Sequence, residues 1–148
     1  MVLFFFLHCD KVLVKIRVHS LKRPFFFTCI QQMKNSLSLL KKNCMPKNDV
    51  TEEQVGDIEK GKFIEDKNVM CYIACVYTMG GGIKNNKIQH DAMMKQVDMM
   101  FPAEMKEPFK AAINQCKGVA KNYKDICEVA FWTAKCVYEV NPANFVFA

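Results

Sequence analysis

The chain has 148 residues, of which 51% are hydrophobic, and a formal net charge of +6. This length suits one domain with a modest hydrophobic core. Residues 1–27 carry +4 of the charge and the remaining chain only +2. A charge this small and dispersed argues against a nucleic-acid-binding protein, which needs basic residues gathered on one face.

Residues 1–27 do not follow the pattern of the rest of the chain. The apolar run at residues 1–7 is signal-like, but it is short and no basic residue precedes it. A second apolar run at residues 24–30 follows a basic stretch, and neither run approaches the roughly 20 residues that span a bilayer. We therefore expect an abnormal leader with little structure in residues 1–27 and a folded domain in residues 28–148.

Helical periodicity begins at Thr28. Apolar residues recur at intervals of three and four as far as residue 44, which predicts a first helix with one buried face. Thr51 predicts the N-cap of a short second helix, because Glu52 and Glu53 suit the positive end of the helix dipole, and Gly61 ends it.

Four further helices follow the same rules. Asp66 begins the third, which ends at the three glycines of residues 80–82, where continued helix is costly. After a polar loop at residues 84–87, the fourth runs from residue 88 to Pro102, the fifth covers 105–120 and the sixth covers 126–138. No alternating run of strand length competes with these helices, so the predicted fold class is all-α with six short helices.

Six of the eight cysteines carry the most specific pattern in the chain. Their spacing is C-x26-C-x3-C-x40-C-x10-C-x8-C, formed by Cys44, Cys71, Cys75, Cys116, Cys127 and Cys136. So many pairable thiols in a small domain are typical of secreted proteins, because a reducing cytosol would not keep them paired. We predict three disulfides.

Helix geometry excludes two of the possible cysteine pairings. Cys71 and Cys75 are four residues apart on one helix, where the regular backbone holds their side chains apart. Cys127 and Cys136 would lie roughly 13 Å apart on opposite sides of the sixth helix, too far for a disulfide. The other connectivities remain open on this argument.

Enzyme and metal motifs are absent from the sequence. There is no Gly-x-Ser-x-Gly, phosphate-binding loop or His-Glu-x-x-His, and the C-x3-C pair lacks partners for a zinc site. The pair His90–Asp91 is similar to the catalytic pair of a secreted phospholipase, but the preceding cysteine pair and the glycine-rich calcium loop of that class are missing. We expect no catalysis, no metal and no cofactor.

The cysteine spacing and several short segments resemble the insect odorant-binding proteins. The segments are 69–75 (VMCYIAC), 101–105 (FPAEM), 123–127 (YKDIC), 133–136 (TAKC) and 144–147 (NFVF), and the resemblance covers residues 28–148. It implies six helices around an apolar cavity, closed by the disulfides Cys44–Cys75, Cys71–Cys127 and Cys116–Cys136. It also implies that the apolar segment after Pro142 folds over the mouth of the cavity.

Apolar residues at helical spacing give a candidate ligand-binding set. A volatile or lipid-like ligand would bind there mainly by removing apolar area from water, and the flexible methionines would adapt to several shapes. For any single member, simple filling of the core is the competing explanation. The set is Ile73, Tyr77, Ile88, Met94, Val97, Met100, Ile113, Phe131, Phe145 and Phe147.

Four residues have particular expectations. Alcohol-binding relatives carry a hydroxyl residue where this chain has glycines, so the phenol of Tyr77 is the expected polar anchor of a more apolar cavity. His90 is a candidate pH switch for ligand release, with an ordinary solvated histidine as the alternative. Cys29 and Cys9 depart from the six-cysteine pattern and can pair with each other or stay free.

Two functions are compatible with these patterns. The first is a secreted, non-enzymatic carrier that binds small hydrophobic odorants or pheromones in sensory lymph and delivers them to membrane receptors, as a monomer or weak dimer. The second is a secreted helical disulfide module that acts on lipid surfaces, or that carries non-odorant ligands such as hormones, tastants or toxins.

Overall fold

The computed structural model describes residues 24–148, with side chains from Ile30 onward. The expectations for residues 1–23, for Cys9 and for the Cys29 side chain lie outside this part. Helix α1 begins at Pro24, so residues 24–27, which the sequence groups with the leader, are helical.

Within residues 24–148 the fold is all-α, with six α-helices. They are α1 (Pro24–Asn48), α2 (Glu52–Val55), α3 (Lys67–Met79), α4 (His90–Met100), α5 (Ala103–Gln115) and α6 (Ile126–Val140). Three 3₁₀ helices supplement them at Ile58–Lys60, Cys116–Asn122 and Pro142–Asn144. No helix in the described part is both long enough and apolar enough to cross a bilayer.

Aspartates begin the two central helices. The Asp66 carboxylate accepts hydrogen bonds from the backbone N–H groups of Asn68 and Val69 at the start of α3. Asp125 caps α6 in the same way and also accepts a 2.6 Å hydrogen bond from Lys67. This ion pair joins the N-terminal ends of α3 and α6, and the caps satisfy backbone donors that a helix cannot satisfy itself.

The predicted second and fifth helices are each divided. The predicted helix at 51–61 forms α2 and a 3₁₀ turn that ends at Gly61, and the predicted fifth helix leaves α-geometry at Cys116 and continues as 3₁₀ helix to Asn122. Periodicity does not separate these cases, because a 3₁₀ turn and an α-turn bury nearly the same apolar positions.

The expected loop at residues 84–87 is a small β-hairpin. Strand β1 (Ile83–Lys84) pairs antiparallel with β2 (Lys87–Ile88), and Asn85 and Asn86 have φ angles of 51° and 55°. Two consecutive left-handed residues match a type I′ turn, which asparagine tolerates better than most residues. The sequence shows no alternating run of strand length, and these two-residue strands are too short to produce one.

The core lies between α3 and α6, with α1 packed on α3 and with α5 and the Cys116–Asn122 turn packed on α6. Tyr72 and Ile73 of α3 and Phe131 of α6 are completely buried. Full burial of one such side chain stabilises the fold by about 1.5–3 kcal/mol. The two helices with the most continuous apolar sequence therefore form the centre.

Candidate functional site: an apolar interior closed by the 145–148 segment

Nine of the ten predicted ligand-binding residues belong to one continuous apolar cluster. The fully or nearly fully buried members are Ile73, Val97, Ile113, Phe131, Phe145 and Phe147, and the partly buried members are Tyr77, Ile88 and Met94. Met100 is half-buried at the end of α4 and lies outside this cluster. The cluster joins residues from α3, α4, α5, α6 and the 145–148 segment, so the structure brings these distant positions together.

The 145–148 segment is held inside the fold by aromatic contacts. The ring of Phe145 packs edge-on against Tyr138 at 5.4 Å between centroids, and Phe147 packs in the same manner against Tyr77 at 5.9 Å. The Tyr72 hydroxyl donates a 2.8 Å hydrogen bond to the carbonyl oxygen of Ala148. These contacts place two phenylalanines of the segment in the core.

Three aromatic residues of this arrangement were missed at the sequence level. Phe63 contacts Phe131, Tyr138 and Phe145, although it lies in a segment without regular structure. Tyr72 and Tyr138 have helical positions that periodicity assigns to the core, but nothing local indicates that they support the 145–148 segment. The bond from Tyr72 to Ala148 spans 76 residues. Tyr138 contacts Phe145 and also donates a hydrogen bond to the carbonyl oxygen of Lys60, 78 residues away.

The Tyr77 phenol lies in apolar surroundings. Burial raises its pKa well above the ordinary tyrosine value, so the group is neutral and keeps its O–H donor at physiological pH. Its ring also lies against Gly82, where an added Cβ would contact the ring at 3.4 Å. Tyr77 thus keeps the chemistry expected of a polar anchor, while Phe147 covers the edge of its ring.

The glycine segment after α3 is held by a side chain of α4. Gln96 donates a hydrogen bond to the carbonyl oxygen of Gly80, and Gly81 has a φ of +82° that favours glycine. Gly82 accepts a 2.8 Å backbone hydrogen bond from Gln89. The segment between α3 and the hairpin is therefore tied to the beginning and middle of α4.

His90 is the first residue of α4 and is partly buried. Its Nδ1 atom is buried without a hydrogen-bond partner in the described part of the chain. Burial lowers the pKa of His90, the nearby Lys117 ammonium lowers it further, and Asp91 opposes both. The neutral form is therefore favoured, and the position of His90 at the positive end of a helix favours it too.

Thr133 of α6 is a buried polar residue that the sequence patterns did not select. It is 3% exposed, and its Oγ1 has no hydrogen-bond partner within residues 24–148. Thr78 of α3, by comparison, donates to the carbonyl oxygen of Ala74, four residues earlier. A signal was present, since Thr133 interrupts an otherwise apolar helix face formed with Ala130 and Val137.

From Ile30 onward, three disulfides enclose this interior. They join Cys44 to Cys75, Cys71 to Cys127 and Cys116 to Cys136, which is the pairing that the family resemblance implies. The sequence separations are 31, 56 and 20 residues. The loop-entropy relation gives stabilisation of about 3–4 kcal/mol for each bond relative to the reduced chain. From Ile30 onward, no group of three or more His, Cys, Asp or Glu side chains is arranged to hold a metal ion.

Comparison with known proteins agrees with this architecture. Residues 28–140 match the model of the family described as PBP/GOBP. The chain belongs to the PBP/GOBP family. Among curated relatives of this family member, General odorant-binding protein 72 of Anopheles gambiae is 31% identical over 117 residues, which cover 79% of this chain and 96% of the relative. General odorant-binding protein 19a of Drosophila melanogaster is 32% identical over 120 residues, with coverage of 79% and 82%.

Solved structures of the family have the same fold. The crystal structure of odorant binding protein 4 of Chrysopa pallens superposes with a TM-score of 0.72 at 36% identity, covering 80% of this chain and 97% of the other. Odorant binding protein 5 of Apis mellifera gives a TM-score of 0.67 at 26% identity, with coverage of 80% and 96%. Both matches extend over nearly the whole of the related chain.

Proposed function

We propose that this protein is a non-enzymatic carrier that binds small hydrophobic odorants or pheromones in the interior of residues 28–148. The observation that carries the proposal is the single apolar cluster formed by distant parts of the chain in a disulfide-linked helical fold of the PBP/GOBP family. The family relatives whose names include odorant binding support the ligand class. Delivery to olfactory receptors, secretion into sensory lymph and a monomeric or weakly dimeric state complete the proposal.

The physical basis of binding is removal of apolar area from water. Each Å² of apolar ligand surface that is buried contributes about 25 cal/mol, less the cost of immobilising the ligand. Methionines at the edge of the cluster, such as Met94, adapt to ligand shape because their side chains are unbranched and polarisable. We therefore expect broad specificity and moderate affinity.

The competing explanation is that the same side chains only fill a solid core. The two explanations predict different results for Val97→Phe, because Val97 is 2% exposed and belongs to the predicted ligand-binding set. In a ligand-binding interior the added ring occupies the space of the ligand, so binding is lost while the free energy of unfolding changes by less than about 1 kcal/mol. In a solid core the extra volume costs about 1–3 kcal/mol.

Val55→Phe is the matched control. Val55 is 1% exposed in α2 and lies outside the predicted set. This substitution should destabilise the protein by about 1–3 kcal/mol and leave ligand affinity unchanged. Equal destabilisation by both substitutions, together with no binding by the unmodified protein, would refute the carrier proposal.

Binding is measured by displacement of the fluorescent probe N-phenyl-1-naphthylamine from the oxidised protein by volatile alcohols, aldehydes and esters. If the protein is a carrier, these ligands displace the probe, and the displacement saturates at one ligand per chain. Leakage of dye-loaded phosphatidylcholine vesicles without any probe binding would instead favour a helical disulfide module that acts on lipid surfaces.

A further inference from the structure

The hydroxyl of Thr133 is a buried polar group to which the proposed function gives no role. This side chain is 97% buried, since its exposed fraction is 3%, and its Oγ1 has no partner in residues 24–148. An unpaired hydroxyl in apolar surroundings is unfavourable, and buried polar groups in native proteins nearly always have a partner. The usual solution for a threonine in a helix is a bond to the carbonyl oxygen three or four residues earlier, and Thr133 does not use it.

Thr133 lies on the face of α6 that contributes residues to the apolar cluster. Ala130 and Val137 are three residues before and four residues after it, on the same face of α6, and both belong to the cluster. The cluster also contains Val97 of α4 and Ile113 of α5, two members of the predicted ligand-binding set. Ala130 and Val137 are both apolar, so Thr133 supplies the hydroxyl on this face of α6.

We propose that Thr133 is a specificity-determining residue, whose hydroxyl hydrogen-bonds to the single oxygen function of a ligand that is otherwise apolar. The inference rests on the proposed carrier function and narrows its ligand class to aliphatic alcohols, aldehydes, ketones and esters. A threonine hydroxyl donates to a carbonyl oxygen and can also accept from an alcohol, so it serves every member of this class. A hydrocarbon of equal length gains nothing from it.

The test is Thr133→Val, which replaces the hydroxyl by a methyl group of similar size. Displacement of N-phenyl-1-naphthylamine is measured with 1-octanol, octanal and n-octane. We expect the affinity for octanol and octanal to fall by about 5- to 10-fold, the factor for loss of one neutral hydrogen bond, while the affinity for octane is unchanged. Thr133→Ser keeps the hydroxyl and should keep the preference for oxygenated ligands.

Thr78→Val is the matched control, because the Thr78 hydroxyl is already bonded to Ala74 and its side chain is exposed. This variant should bind all three ligands as the unmodified protein does. Equal losses for octanol, octanal and octane in Thr133→Val, or no loss for any of them, would overturn the inference while leaving the carrier function intact. Failure of the unmodified protein to bind any of the ligands would instead overturn the carrier function itself.

Thermal unfolding without ligand gives an independent readout. Removal of an unpaired buried hydroxyl should raise the Tm of Thr133→Val by about 2–6 °C. A fall in Tm would show that the hydroxyl is already bonded within the protein, which would also overturn the inference.

Discussion

Gly61 controls the position of Tyr138 and, through it, the 145–148 segment. The φ of Gly61 is +91°, and a Cβ added there would overlap the Tyr138 ring. The left-handed conformation alone costs a residue with a side chain about 1–2 kcal/mol. The overlap adds to this cost because the ring cannot keep its place.

The contacts that Tyr138 would lose determine the free-energy cost of the overlap. Its hydroxyl donates a 3.0 Å hydrogen bond to the carbonyl oxygen of Lys60, and its ring contacts Phe63 at 5.9 Å and Phe145 at 5.4 Å. The hydrogen bond is worth about 1 kcal/mol and each ring pair about 0.5–1.5 kcal/mol. We therefore expect Gly61→Ala to lower the free energy of unfolding by about 3 kcal/mol or more.

Urea unfolding followed by fluorescence of Trp132 measures this change. Trp132 is the single tryptophan of the chain, and it stacks on Tyr123 at 5.7 Å, so its emission should report unfolding. Gly118→Ala is the control, because nothing lies within 4 Å of the Cβ that it would add. This variant should change stability by less than about 0.5 kcal/mol.

A double-mutant cycle isolates the overlap with Tyr138. In a Tyr138→Leu background the shorter side chain removes the overlap, so Gly61→Ala should cost only the conformational contribution of about 1–2 kcal/mol. The reasoning would be refuted if Gly61→Ala cost the same in both backgrounds, or if it behaved like Gly118→Ala.

Three further substitutions test the site and its closure. Tyr72→Phe removes the hydrogen bond to Ala148 and should lower the free energy of unfolding by about 1 kcal/mol. It should also raise the rate of amide hydrogen exchange in the 145–148 segment, and an unchanged rate would contradict the anchoring role. The folded-state pKa of His90 lies below its ordinary value, so the unfolded chain binds more protons than the folded chain as pH falls through about 6.5. The free energy of unfolding should therefore decrease over this pH range. Urea titrations at several pH values should show a smaller decrease for His90→Gln. Replacing Cys71 and Cys127 by alanine opens the 56-residue loop and should cost about 4 kcal/mol in the same assay, whereas a cost below about 1 kcal/mol would show that the loop-entropy argument does not hold here.

The pH dependence of His90 can also be tested by ligand binding. Protonation of His90 would put a second positive charge near Lys117 at the start of α4, with Asp91 as the compensating charge. If this charge weakens the packing of the 145–148 segment, the affinity for N-phenyl-1-naphthylamine should fall in mild acid in the unmodified protein. It should fall less in His90→Gln. Equal acid sensitivity of the two proteins would exclude His90 as the switch.

Local signals predicted the helices well because they act within a few residues. The helix starts at Thr51 and Asp66, the helix end at Gly61 and the period of apolar residues each depend on groups close by in the sequence. The same signals did not reveal the hairpin at residues 83–88, since its strands are too short for a pattern. They also did not divide the predicted fifth helix at Cys116, where the backbone changes to 3₁₀ geometry.

The sequence by itself determined the all-α class, the family resemblance and the apolar residues from which an interior could be built. Only the tertiary structure decided which of them meet, that Tyr72 and Tyr138 hold the 145–148 segment, and that Thr133 has a buried hydroxyl without a partner in residues 24–148. The physical reason is the distance along the chain over which each property acts. Propensity and periodicity are properties of a few adjacent residues, whereas burial and hydrogen-bond satisfaction depend on side chains brought together from distant parts of the chain.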